Sequence, residues 1–165
     1  MNIRPERHDD RAAISRLIND AFKSAKHSSG QEADIVDKLR ANGDLTISLV
    51  AEGADQIVGH VAFSPVSISD GASGWFGLGP VAVLPSNQGR GVGRALIEQG
   101  LSDLRRANAK GCVVLGDPAY YGRFGFTSDH DLVLPGVPAI YFQSLKLDDR
   151  DAARGSVAYH RAFDP

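Results

Sequence analysis

Long hydrophobic runs and a surplus of cationic residues are both missing from this sequence. The apolar runs are short and interrupted by glycine, proline or polar residues, far below the roughly 18 residues that suggest a membrane span. The formal net charge is -2 at pH 7, and no cluster of lysines and arginines marks a nucleic-acid surface. We therefore expect neither a membrane nor a nucleic acid as a partner.

Cysteine is nearly absent as well. The single residue, Cys112, cannot form a disulfide within the chain. The first residues, Met1 to Glu6, already include the charged residues Arg4 and Glu6 and do not resemble a signal peptide. Both features predict a cytoplasmic protein.

The 165 residues, 42% of them hydrophobic, fit one compact domain. We place this domain at residues 1–147, with residues 148–165 as a C-terminal extension of the same domain.

Patterns for metal binding and covalent catalysis are also lacking. No histidine has a second histidine four residues away or a cysteine companion, as metal-ligand spacing would require. The histidines are His8, His27, His60, His130 and His160. No Gly-x-Ser-x-Gly elbow occurs, and Cys112 lies in a predicted buried strand, where a thiol is usually inert. The sequence predicts no metal site and no serine or cysteine nucleophile.

The hydrophobic periodicity predicts a mixed α/β (α+β) domain. A strand at Asn2–Pro5 and two amphipathic helices come first, and an antiparallel meander follows. A long amphipathic helix after Pro85 ends near Lys110, and a buried strand, Cys112–Leu115, is expected to run parallel to the strand that ends at Leu84. The remaining predicted elements are the second helix Gln31–Ala41, the meander strands Ile47–Ala51, Ile57–Ile68 and Trp75–Leu84, a short helix around Ala119–Arg123, and strands at Asp131–Leu134 and Ile140–Leu147.

A glycine-rich turn stands where the strand Val81–Val83 meets the long helix. Its glycines, Gly89, Gly91 and Gly93, occupy alternate positions. Such a turn lets an anion approach the backbone at the positive end of a helix, although an isolated one serves equally well as a tight connection. No Lys-Ser or Lys-Thr follows, so a P-loop is excluded, and Arg94 stands where a dinucleotide fingerprint needs its third glycine.

The pattern that fits is Gln88-Gly89-Arg90-Gly91-Val92-Gly93 behind Val81-Ala82-Val83. Here the chain resembles the GNAT superfamily of acetyl-CoA-dependent N-acetyltransferases, over roughly Asn2 to Leu147. The resemblance implies a largely antiparallel sheet with helices on both faces and one splayed parallel strand pair, with acetyl-CoA as cosubstrate and no metal. It also implies the cofactor contacts: the backbone of Val81, Ala82 and Val83 on the pantetheine, and the turn Gln88, Gly89, Arg90, Gly91, Val92, Gly93 and Arg94 on the pyrophosphate.

The family has a second motif after the strand that follows the long helix. The segment of this chain that is similar to it is Ala119-Tyr120-Tyr121-Gly122-Arg123-Phe124-Gly125-Phe126. With Gly116-Asp117-Pro118 and Leu78-Gly79-Pro80 it resembles the YhbS-like branch. By this resemblance Tyr121 is the proton donor to the departing CoA thiolate. A phenol with an ordinary pKa near 10 is protonated at neutral pH and can serve in that role.

Several assignments stay open at this level. The strand Trp75–Val81 lacks the carboxylate that many family members place there, so the general base is either His60 or a water relay, and His60 is equally interpretable as a hydrogen-bonded structural residue. Asp117 orients Tyr121 or caps a helix. The function expected is acetyl transfer to a primary amine of a small molecule or protein. The alternatives are a non-catalytic acyl-CoA-binding or regulatory module and transfer to a non-amine acceptor.

The acceptor is expected to contact the variable segments Lys23–Glu32, Pro65–Trp75 and Pro135–Phe142, which carry no recognisable code. Homodimers are common in the family, and a C-terminal strand that pairs with a neighbour's would provide one route to them.

Overall fold

The computed structural model describes residues 1–23, 25, 28–128 and 131–165. Its elements follow the predicted order. In chain order they are β1 (Asn2–Pro5), α1 (Arg11–Phe22), α2 (Glu32–Ala41), β2 (Ile47–Gly53), β3 (Gln56–Pro65), β4 (Ser67–Ile68), β5 (Trp75–Val83), α3 (Val92–Arg106), β6 (Gly111–Leu115), α4 (Pro118–Tyr121), β7 (Leu132–Val133), β8 (Phe142–Lys146) and β9 (Gly155–Ala158). No helix of the described part is both long and apolar enough to cross a membrane.

The chain forms two compact units whose boundaries fall inside strands β3 and β5 and inside helix α3. The first unit comprises Met1–Phe63 and Gly79–Asp103, and the second comprises Ser64–Leu78 and Leu104–Pro165. The assignment of residues 1–147 to a domain and of residues 148–165 to its extension stays a prediction.

In the first unit, β1, β2 and β3 pair antiparallel in that order, with a bulge at Ala51/Glu52. Helices α1 and α2 cover one face because their apolar residues recur every three or four positions. The core they build with the strands consists of Ile14, Leu17, Ile18, Ala33, Val36, Val50, Ala62 and Ala82. On α3, Val92 packs closely on Gly59, where an added Cβ would lie 2.8 Å from Val92 Cγ1.

In the second unit, β5 pairs parallel with β6 over Trp75–Gly77 and Gly111–Val113, which confirms the predicted parallel pair. Strand β8 pairs antiparallel on the other side of β6. A small sheet of β4, β9 and β7 adds its apolar residues to a core with Trp75, Val113 and Phe142.

Some boundaries differ from the predicted ones. The strand expected at Ile57–Ile68 is broken into β3 and β4, and β4 pairs instead with β9 in the smaller sheet. Helix α3 ends at Arg106, and the left-handed backbone of Asn108 turns the chain shortly afterwards. Strand β8 begins only at Phe142, because Ala139–Tyr141 form a 3-10 turn.

Two expectations were wrong in detail. Strand β6 is buried through Val114 as predicted, but Leu115 at its carboxyl end is 47% exposed. The tail, which shows no clear pattern in sequence, contributes β9. That strand lies between β4 and β7 of its own chain.

Candidate active site

The glycine-rich turn lies in the first unit, between the 3-10 turn Pro85–Asn87 and α3. Gly89 and Gly91 both have positive φ angles, +76° and +81°, which a residue with a side chain adopts only at a cost. Apart from the adjacent residues, no atom of the described part of the chain lies within 4 Å of a Cβ placed on either glycine, so their outer faces are open. The glycines therefore serve the backbone conformation of this turn and are not needed for close packing.

Gln88 fixes the turn to the end of β5. Its side-chain Nε2 donates to the carbonyl of Val83 at 3.1 Å, so the turn and the segment Val81–Val83 are held together. Ala82 is buried in the first unit's core, while Val81 and Val83 on either side of it are partly exposed.

The start of α3 completes this arrangement. A helix leaves its first N–H groups without acceptors in its own backbone and carries partial positive charge at that end. Arg90 is exposed within the turn, and Arg94 Nε pairs with Glu98 at 2.8 Å along the helix surface. Open glycines, a helix N-terminus and nearby guanidinium groups make this turn suited to a diphosphate.

Tyr121 lies in the second unit, at the end of α4. Its ring packs edge to face on Phe126, with the centroids 6.1 Å apart, and on Tyr120 at 5.0 Å. The ring also covers Gly116, where a Cβ would lie 2.5 Å from Tyr121 Cε2. These contacts leave little freedom to the ring and so to the direction of its hydroxyl.

Burial raises the pKa of Tyr121 to about 12, with smaller contributions from Tyr120 and Cys112. The phenol is therefore protonated throughout the physiological range. It can donate a proton or a hydrogen bond, and it is a poor base at neutral pH.

Asp117 caps the helix that carries Tyr121. Its carboxylate accepts a hydrogen bond from the backbone N–H of Ala119 at 2.9 Å, and Pro118 occupies the first helical position. The capping interpretation of Asp117 is confirmed.

His60, the candidate base on β3, is completely buried in the first unit. Its Nε2 lies 2.8 Å from Ser48 Oγ, and the Ser48 hydroxyl donates to Glu6, which Arg40 binds with two hydrogen bonds. Because Ser48 donates to a carboxylate, it accepts from the Nε2–H of His60, and Nδ1 has no partner among the described residues. Burial lowers the pKa of His60 to about 4. These contacts favour the structural interpretation of His60.

Sequence reasoning missed two groups of residues. One is the chain of Glu6, Arg40 and Ser48 around His60, whose members are distant in sequence. The other is Tyr159 in the tail, whose electrostatic interactions with Tyr121 and Cys112 no local pattern signals.

The described residues contain no group of three or more His, Cys, Asp or Glu side chains placed to hold a metal ion. His8 lies 2.8 Å from an Arg11 nitrogen, and His160 accepts from the N–H of Ala162. His27 and His130 lie outside the described residues, as does part of the expected acceptor segment Lys23–Glu32.

The chain is similar to known acetyltransferases both in sequence and in fold. Residues 2–128 match the family described as the acetyltransferase (GNAT) domain. The chain is 37% identical to the uncharacterized N-acetyltransferase YhbS of Escherichia coli (strain K12) over 99% of both chains. A GNAT family acetyltransferase from Brucella melitensis, solved in complex with acetyl-CoA, is 49% identical, with a TM-score of 0.88 over 99% of this chain and 97% of that one. Escherichia coli YhbS in complex with CoA gives a TM-score of 0.90 at 38% identity, over 99% of this chain and 92% of that one.

Proposed function

The chain belongs to the GNAT family of N-acetyltransferases, and we propose that it transfers the acetyl group of acetyl-CoA to a primary amine by direct attack. The observation that carries this proposal is the turn at Gly89–Gly91, open and leading into the N-terminus of α3. The full-length similarity to a relative solved with acetyl-CoA supports it.

The local geometry of the turn supports a set of cofactor contacts. We propose that the backbone of Gln88–Arg94 binds the CoA diphosphate and that the backbone of Val81, Ala82 and Val83 pairs with the pantetheine amides. The parallel pairing of β5 with β6 ends at Gly77, so these three residues follow the part of β5 that is paired with β6. An extended ligand can add to such a segment as a strand would.

The chemistry requires a proton for the leaving group. The neutral amine nitrogen attacks the thioester carbon, a C–N bond forms, and the C–S bond breaks with its electron pair passing to sulfur. Tyr121 donates its phenolic proton to that sulfur, and the phenolate recovers a proton from the nitrogen through solvent. A pKa of about 12 keeps Tyr121 in the donating form before each turnover.

No ionisable side chain occurs from Trp75 to Val83, so the deprotonation of the amine is assigned to water rather than to a residue of β5. The same feature is compatible with a non-catalytic module that binds acyl-CoA. Binding and turnover must therefore be measured separately.

The test is the release of free CoA thiol from acetyl-CoA across a panel of small amines, peptides and aminoglycosides, with calorimetric titration of CoA and acetyl-CoA alongside. We expect saturable binding of both ligands and release that depends on at least one amine. Binding without release by any amine would favour the non-catalytic module, and a protein that binds neither ligand would exclude both functions.

A further inference from the structure

Strand β8, together with the residue before it, holds both ends of the segment that carries Tyr121. At the start of this segment, the N–H of Gly116 donates to the carbonyl of Tyr141 at 2.9 Å. At its end, Thr127 and Ser144 exchange two backbone hydrogen bonds, of 3.0 and 2.8 Å. The backbone on both sides of Tyr121 is therefore fixed by the same part of the second unit.

Gly116 is the residue on which the Tyr121 ring lies. A Cβ at this position would be 2.5 Å from Tyr121 Cε2 and 3.1 Å from Cδ2, so the ring occupies the space of a side chain at residue 116. In packing this close, a displacement of the backbone is transmitted to the ring that lies on it. The position of Gly116 therefore contributes directly to the position of the phenol.

The carbonyl of Gly116 is bound by a side chain of β8. The pairing of β6 with β8 ends at Leu115, opposite Phe142, so Gly116 lies beyond the ladder of the sheet. Gln143 reaches it from β8, and its Nε2 donates to the Gly116 carbonyl at 3.1 Å. With the bond from its N–H to Tyr141, Gly116 is held at both of its backbone polar groups.

Gln143 is an unusual residue to find in this position. It is 1% exposed, and its Oε1 is buried without a hydrogen-bond partner in the described part of the chain. An unpaired buried acceptor destabilises a fold, so each such group requires an explanation. An apolar side chain would fill the same space without this cost. The hydrogen bond to Gly116 is therefore the contribution that distinguishes glutamine here.

We propose that Gln143 is a positioning residue, which holds Gly116 and thereby directs the Tyr121 phenol toward the departing CoA thiolate. This inference rests on the proposed function. Gln143 exchanges no proton and contacts no reacting atom, so the balance of the reaction is unchanged. Proton donation requires the hydroxyl within hydrogen-bond reach of the sulfur, and a small displacement of the ring lowers the rate of that step. The rest of acetyl-CoA binds elsewhere and is unaffected.

The test compares wild type with Gln143→Met, which keeps the length of the side chain and removes its donor and its unpaired acceptor. We expect kcat to fall about tenfold to 100-fold, while the dissociation constant for acetyl-CoA changes by less than about twofold. In the Tyr121→Phe background the same substitution should change kcat by less than about twofold, because the group that Gln143 positions has been removed. An equal fall in both backgrounds would overturn the inference.

A second readout requires no turnover. In protein with isotope-labelled tyrosine rings, the Tyr121 NMR signal, identified by its loss in Tyr121→Phe, should shift and broaden in Gln143→Met. Ser144→Ala is the matched control, since it removes the side chain of the next residue and keeps the backbone bonds to Thr127. It should leave kcat and the Tyr121 signal unchanged.

A Tyr121 signal that stays in place in Gln143→Met would also overturn the inference. This signal is measured in the protein alone, with no acceptor present. It can therefore stay unchanged while acetyl transfer is observed, and it can move when no amine is acetylated. Failure of the inference and failure of the proposed function are thus distinguishable.

Discussion

Tyr121 combines a fixed ring with a hydroxyl that is protonated at neutral pH, because aromatic neighbours pack against the ring and burial raises its pKa to about 12. Replacing it with phenylalanine keeps the packing and removes the proton donor. We predict that Tyr121→Phe lowers kcat by about 10²- to 10⁴-fold with unchanged affinity for acetyl-CoA. Steady-state kinetics and calorimetric titration provide the two values. Turnover equal to that of wild type would remove Tyr121 from the mechanism.

His60 makes the stability of the protein depend on pH. The folded pKa is about 4, below the ordinary value of 6.5, so the unfolded chain binds more protons between these two values. The free energy of unfolding should therefore rise by about 3 kcal/mol from pH 4 to pH 6.5 on account of His60 alone, and this stability is lost as the pH falls.

The measurement is urea denaturation at several pH values, with His60→Gln as the comparison. The amide retains a donor for Ser48 but does not titrate, so the pH dependence above the range of the carboxyl groups should be smaller in this variant. Glu6 contributes only at lower pH, because burial would raise its pKa but the hydrogen bonds from Arg40 and Ser48 lower it. Equal pH dependence in both proteins would contradict the assignment to His60.

Residues whose role depends on near neighbours were predictable from the sequence, and those that depend on distant ones were not. Asp117 stands directly before Pro118-Ala119, so its capping role follows from local order, and the structure confirms it. Tyr159 reaches Gly77 only through the fold, 82 positions apart by residue number, and nothing around it in sequence marks it.

At the scale of elements, the turn before α3 offers a direct comparison between two glycines. Gly91 and Gly43 have similar positive φ angles, +81° and +75°, and both have open space around a Cβ. Gly43 follows the end of α2, outside the proposed cofactor contacts. Alanine at either position should cost about 1 kcal/mol of stability, because a side chain disfavours the left-handed conformation.

Only Gly91→Ala should also weaken acetyl-CoA binding, by about tenfold or more, since it alters the backbone that would contact the diphosphate. Titration calorimetry on the two variants provides the comparison, with thermal denaturation as the check on stability. Equal affinities in Gly91→Ala and Gly43→Ala would mean that the turn does not bind the cofactor.

The longer elements were predicted well because their periodicity is strong. Helices α1, α2 and α3 bury one apolar stripe each, and the β5–α3–β6 crossover predicts the parallel pair that is observed. In the small sheet, β7 lies within the strand predicted at Asp131–Leu134, whereas β4 was merged with the preceding strand and β9 was missed, since β4 has two residues and β9 has four. Segments this short carry no measurable periodicity.

At the scale of the whole molecule, long-range pairing explains what sequence reasoning could not foresee. Strand β4 at Ser67–Ile68 pairs with β9 at Val157–Ala158, so the tail is built into the second unit. The identity of the family was nevertheless predictable, because the motif at Gln88–Arg94 and the motif at Ala119–Phe126 are both local and stand in the expected order. The identity of the acceptor was not predictable, since the segments expected to contact it contain no recognisable sequence motif.

The measurement that tests the central claim most directly is mass spectrometry of the acceptor after incubation with acetyl-CoA, combined with assay of the free CoA released. Matched acceptors that differ only in carrying an amine, a hydroxyl or a thiol should be compared under the same conditions. The account predicts that an amine gains one acetyl group for each CoA released and that this depends on Tyr121. Acetylation of the hydroxyl or thiol acceptor in preference to the amine, or the absence of any acetylated product from a protein that binds acetyl-CoA, would contradict it.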